Sequence, residues 1–130
     1  MAEGASIKAL IVDDSKIIRM TIKKFLKDRA EVVAEANDGT AAVEAYQELQ
    51  GKGELPDVVL MDINMDLMDG LEASKEILKM NPNAAIIIVS AQSGQDMIKQ
   101  AIDIGVKEYV VKPFTEEQLL DAVNSVVGAV

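Results

Sequence analysis

The sequence predicts an α/β fold, a doubly wound five-stranded parallel sheet with helices on both faces. Short β-branched runs alternate strictly with longer stretches of helical spacing, five of each. The runs Val58–Met61 and Ala85–Val89 are almost continuously apolar, as strands covered on both faces must be. A chain of 130 residues with 49% hydrophobic content has room for one domain and one buried core. Residues 1–130 are therefore expected to form a single domain, with 1–6 as a flexible N-terminus.

The elements follow in order. Ile7–Val12 is the first strand; Ser15 caps a helix whose apolar positions are Ile17, Ile18, Ile22, Phe25 and Leu26. Val32–Glu35 is the second strand, and Asp38-Gly39 opens a helix carrying Val43, Tyr46 and Leu49. Gln50–Leu55 reads as a surface loop. Val58–Met61 leads to a helix with Leu71, Ile77 and Leu78, which Asn81-Pro82 stops. Ala85–Val89 leads to Ile98, Ala101 and Ile102, and Gly105 ends that helix. Glu108–Val111 is the last strand. Thr115-Glu116-Glu117-Gln118 is a capping box for a helix with Leu119, Leu120, Val123 and Val127.

Composition narrows the chemistry. A net charge of −9 offers no basic footprint for nucleic acid or anionic membrane. No apolar stretch is long enough to cross a bilayer, and Met1 to Ser6 is too short and polar for a signal peptide. The absence of cysteine suits the cytoplasm. The absence of histidine removes Ser-His-Asp catalysis, most zinc sites and histidine as the chain's own phosphoryl carrier.

Ligands of open parallel sheets bind beyond the carboxyl ends of the strands. Those ends deliver Asp13 and Asp14, Asp62, Ser90, and Lys112 before Pro113. Clustered carboxylates repel unless a cation joins them, and a hard divalent ion such as Mg²⁺ suits an all-oxygen set. Lys112 adds a point charge for phosphoryl oxygens, and Ser90 a hydrogen-bond donor. Phosphoryl transfer needs mainly positioning and charge neutralisation, and an aspartate nucleophile yields an acyl phosphate.

The segments Leu10-Ile11-Val12-Asp13-Asp14-Ser15, Asp57-Val58-Val59-Leu60-Met61-Asp62, Met68-Asp69-Gly70, Val89-Ser90-Ala91 and Val111-Lys112-Pro113-Phe114 together carry a resemblance over nearly the whole chain. The sequence resembles the response-regulator receiver family, most of all its single-domain chemotaxis type. The resemblance implies strand order 2-1-3-4-5 and a signalling switch rather than an enzyme. It implies Asp62 as phosphoacceptor, and a metal held by Asp13, Asp14, Asp62 and the backbone carbonyl of Asn64. Mg²⁺ is the implied ion, with Mn²⁺ as substitute. Ser90 and Lys112 would hold the phosphoryl oxygens, Ser90 and Tyr109 would form the switch, and Lys112-Pro113 would be cis. A histidine kinase would be the donor, and the expected state is a monomer. The output face would include Gln100, Ile104, Lys107, Tyr109 and Val111, and would meet a motor or flagellar component. A phosphorelay intermediate serving a phosphotransfer protein, or a receiver cut from a larger regulator, is the alternative.

Further readings bear on the site and on its neighbours. Asp66 stands where many receivers have Pro, so the loop after Asp62 is expected to be more mobile. Asn64 and Gln92 are amides, able to orient water but not to act as a base. A Mg²⁺-dependent aspartyl phosphatase would want a second acid two residues after the nucleophile, where Asp62-Ile63-Asn64 has an amide. A flavin or nucleotide module would want a glycine- or hydroxyl-rich first loop, where Asp13-Asp14-Ser15-Lys16 is acidic. Met61, Met65 and Met68 read as packing, and Asp57 as a turn residue at a strand start.

Overall fold

The computed structural model describes residues 7–128, so the expectation for 1–6 lies outside the described residues. The chain runs β1 (Ile7–Val12), α1 (Lys16–Leu26), β2 (Ala30–Ala36), α2 (Gly39–Gly51), β3 (Val58–Met61), α3 (Gly70–Met80), β4 (Ile86–Ser90), α4 (Gln95–Ile104), β5 (Glu108–Val111) and α5 (Glu116–Val127). All four strand pairings are parallel, in the order β2-β1-β3-β4-β5.

Strand side chains alternate between two cores, as the pleat requires. Leu10, Val12, Val59, Met61, Ile86 and Ile88 face α2, α3 and α4, meeting Ala42, Tyr46, Ala73, Ile77 and Ala101. Ala9, Ile11, Val58, Leu60, Ile87 and Val89 face α1 and α5, meeting Ile22, Leu26, Leu119 and Val123. Ile86, Ile87 and Ile88 are fully buried, and burying a side chain of this kind contributes roughly 1.5–3 kcal/mol. Phe25 and Phe114 meet edge-to-face at 6.0 Å, half-buried against the second core. Met65 and Met68 pack on the first core beside Met61, in the packing role read from the sequence.

The caps act as their residue types dictate. Ser15, Asp38, Asp69 and Thr115 each accept a hydrogen bond from a backbone N–H in the first turn of the following helix, and Thr115 with Gln118 completes a capping box. Asn81 caps the end of α3, and Gly105 ends α4 with φ of 119°, a left-handed conformation glycine adopts without strain. Asp57 holds the start of β3 by accepting from the Lys8 N–H at 2.7 Å.

Several boundaries differ from the sequence reading. β2 spans Ala30–Ala36 rather than Val32–Glu35, because edge pairing with β1 recruits alanines of weak strand propensity. α2 continues through Gln50 and Gly51, so the loop begins at Lys52. β4 starts at Ile86 and includes Ser90, whose carbonyl pairs with the Lys112 N–H. Ile17 and Ile102 are exposed despite their helical spacing.

Candidate functional site

Sheet order places the site. The β1 connection leads outward to β2 and the β2 connection returns across β1 to β3, so the crevice opens between the ends of β1 and β3. Val12 and Met61 are register partners, and the Asp62 N–H donates to the Val12 carbonyl at 2.9 Å. Asp13 and Asp62 therefore leave neighbouring strands side by side.

Both are buried, whereas Asp14 is exposed. Asp13, Asp14 and Asp62 each offer a carboxylate oxygen within 4.8 Å of the others. Asp13 Oδ1 accepts from the Ser15 N–H at 2.9 Å, and Asp13 Oδ2 accepts from Lys112 Nζ at 2.7 Å. Asp62 Oδ1 accepts from the Ile63 N–H at 2.8 Å, leaving Oδ2 facing Lys112 Nζ across 3.5 Å. Burial pushes the Asp62 carboxyl above its ordinary range, and the charge of Asp13 pushes it further, against the pull of Lys112. An all-carboxylate set with one exposed member fits a hard, partly hydrated divalent ion such as Mg²⁺.

The surrounding loops are tied to this centre. Gly70 lies so close to the β3 end that a Cβ there would fall 1.8 Å from the Asp62 carbonyl oxygen. Gly39 donates to the Met68 carbonyl at 3.0 Å, and its own Cβ position is equally filled. The loop carrying Asp66 is thus fastened from two sides, although Leu67 sits exposed at φ of 67°. Lys112-Pro113 is cis, as the resemblance implied.

Ser90 is buried, and its Oγ accepts from the Gln92 N–H at 3.1 Å. Tyr109 donates its hydroxyl to the Gln92 carbonyl at 2.6 Å, and burial pushes its phenol above the ordinary value. Gln92 Nε2 donates to Asn64 Oδ1 at 2.6 Å. The structure thus brings Asp13, Asp14, Asp62 and Lys112 into one cluster, with Ser90, Tyr109 and Asn64 joined through Gln92. Gln100, Ile104, Lys107 and Val111 lie outside it, and with Tyr109 they stand partly or fully exposed on α4, β5 and the segment between them. Two contacts escaped sequence reasoning. Arg19 reaches the Asp13 main-chain carbonyl, and Gly39 clasps the Asp62 loop; Asp38-Gly39 signalled only a helix start.

A family model of the response regulator receiver domain matches residues 9–124. The chain belongs to the response regulator receiver family. This receiver is 45% identical over 120 residues to the chemotaxis protein CheY of Thermotoga maritima, spanning 92% of this chain and 96% of that one. It is 47% identical over 118 residues to CheY of Bacillus subtilis, spanning 90% and 94%. Among solved structures, the CheX-CheY-BeF3-Mg²⁺ complex from Borrelia burgdorferi superposes with a TM-score of 0.86 at 30% identity, over 95% of this chain and 90% of that one. Among the described residues, no helix is long and apolar enough to cross a membrane.

Proposed function

We propose that this receiver is a CheY-like chemotaxis regulator that accepts a phosphoryl group from a histidine kinase on Asp62, at a Mg²⁺ site formed by Asp13, Asp14, Asp62 and the Asn64 carbonyl. The observation that carries the reading is the cluster itself: three carboxylates within 4.8 Å, two of them buried, around a single ammonium. A structural role alone would not favour burying two like charges side by side.

Asp62 Oδ2 faces Lys112 while Oδ1 is held by the Ile63 amide, so Oδ2 is the oxygen to attack phosphorus. The new P–O bond forms as the P–N bond to the donor imidazole breaks. Bound Mg²⁺ would neutralise charge shared by the carboxylates and the arriving phosphoryl oxygens. Lys112 then exchanges part of its contact with Asp13 for a phosphoryl oxygen, and the Ser90 hydroxyl donates to another. That rearrangement pulls on Gln92 and Tyr109, and so biases the surface formed by α4 and β5 that a motor component or a phosphotransfer protein would read.

Incubation with acetyl phosphate and Mg²⁺, followed by intact mass, tests the assignment. Wild type gains one phosphoryl group and Asp62→Asn gains none. An unlabelled wild type across Mg²⁺ and Mn²⁺ concentrations rules the proposal out.

A further inference from the structure

Asp14 differs from its neighbours in how it is held. The carboxylates of Asp13 and Asp62 are both held by donors within the protein, whereas Asp14 has no side-chain hydrogen bond or ion pair among the described residues. Its orientation rests on the backbone, and above all on the peptide plane joining Asp13 to Asp14.

That plane has a dedicated partner. Arg19 Nη1 donates to the Asp13 carbonyl oxygen at 2.6 Å. The same guanidinium donates through Nε to Glu35 Oε1 at 3.0 Å, and Lys23 holds Glu35 Oε2 at 2.9 Å. These two cations draw the Glu35 carboxyl below its ordinary value, the Lys23 bond contributing most. The Asp13 N–H donates to the Ala36 carbonyl at 3.1 Å, next to Glu35 on the same strand. So β2 grips the residue before Asp14 twice, once directly and once through Arg19. The Arg19 side chain is only 17% exposed, and a planar guanidinium with two fixed bonds restrains direction as well as distance.

We propose that Arg19, braced by Glu35, is a positioning residue that aims Asp14 at the divalent cation. The inference rests on the metal site proposed above. It carries a sign that separates it from simple electrostatics. Removing a positive charge beside an acidic cluster should strengthen cation binding, whereas releasing the peptide plane should weaken it.

The test is calorimetric titration of Mg²⁺ into the full chain as wild type, Arg19→Met and Arg19→Lys, with thermal melts to confirm folding. Arg19→Met is expected to weaken Mg²⁺ binding roughly tenfold, the usual scale for losing a group that orients a metal ligand. Arg19→Lys keeps the charge but not the fork, and is expected to weaken it as well. Acetyl phosphate labelling of Asp62 should fall at low Mg²⁺ and return to within about twofold of wild type at saturating Mg²⁺, since orientation of a ligand mainly sets metal affinity. Unchanged or tighter Mg²⁺ binding by folded Arg19→Met overturns the positioning role. If that variant does not fold, wild-type affinity in Arg19→Lys overturns it instead. A wild type that binds no Mg²⁺ would defeat the parent reading instead.

Discussion

Lys112 Nζ lies 2.7 Å from Asp13 Oδ2 and 3.5 Å from Asp62 Oδ2, so one side chain from the end of β5 bridges carboxylates at the ends of β1 and β3. In the absence of metal, this ammonium is the nearest positive charge to both. It makes Lys112 part of the stability of the site as well as of its proposed chemistry. Breaking a buried ion pair by removing one member typically costs about 3 kcal/mol, because the other charge is stranded. Lys112→Met should therefore lower unfolding free energy by up to about that amount without divalent ions. Mg²⁺ should restore more stability to the variant than it adds to wild type, since it replaces the lost charge. Urea titrations with and without Mg²⁺ measure both. Equal Mg²⁺ stabilisation of the two proteins would show that Lys112 and the cation do not share a role.

The raised proton affinity of Asp62 sets a pH dependence. Its carboxyl sits above the ordinary 3.8 in the folded protein, chiefly because it is buried. Between those two values the folded chain holds more protons than the unfolded one, so the stability contribution is full at low pH and is lost as pH rises through the folded value. Asp62→Asn keeps the shape and removes the charge. Without metal the variant should melt above wild type at pH 7, and the gap should close as pH falls toward 4. Parallel melting curves across that range would contradict the assignment of burial as the cause.

Much of this was legible before the structure. The five strand–helix units follow from β-branched runs and helical spacing, and the site residues stand at strand ends, where an open parallel sheet must bind its ligands. Ala30 and Ala36 hid the length of β2, because alanine signals a strand weakly and edge pairing decided the matter. Ile17 fitted the helical pattern yet is exposed, since periodicity marks a face only to within one position. The Arg19 contact was invisible for a different reason. It ends on a main-chain carbonyl, which every residue has, so no residue type announces it. The resemblance paired Ser90 with Tyr109, but their link through the backbone of Gln92 was hidden in the same way.

Leu67 holds φ of 67° while 85% exposed, on the loop that follows Asp62. A left-handed backbone costs a β-carbon residue roughly 1–2 kcal/mol, and little packing offsets it here. Asparagine tolerates that conformation, and unlike glycine it does not enlarge the unfolded ensemble. Leu67→Asn should raise unfolding free energy by about 1 kcal/mol, read from the urea midpoint at constant slope. Mg²⁺-dependent labelling should be unchanged, because the exposed side chain is no part of the carboxylate cluster. A destabilised variant would mean that the leucine side chain supports the loop.

Gly70 supplies the opposite case, a glycine required by space. No positive φ forces it, since Gly70 is absent from the left-handed residues of the chain. The constraint is a β-carbon 1.8 Å from the Asp62 carbonyl oxygen and 2.9 Å from Ile63 Cα, both backbone atoms that no rotamer change can move aside. The Gly70 N–H also donates to the Ile63 carbonyl at 2.9 Å, so the start of α3 and the end of β3 are pinned together. Gly70→Ala must push α3 away from Asp62 or break that bond. Overpacking of this kind typically costs about 1–3 kcal/mol. The displacement should also reach the chemistry, because Asp62 Oδ1 is oriented by the very next amide, that of Ile63. The expected outcome is a lower urea midpoint together with slower acetyl phosphate labelling that saturating Mg²⁺ does not restore, since the proposed nucleophile itself would have moved. Gly51→Ala, where a β-carbon meets nothing within 4 Å, is the matched control and should leave labelling at the wild-type rate.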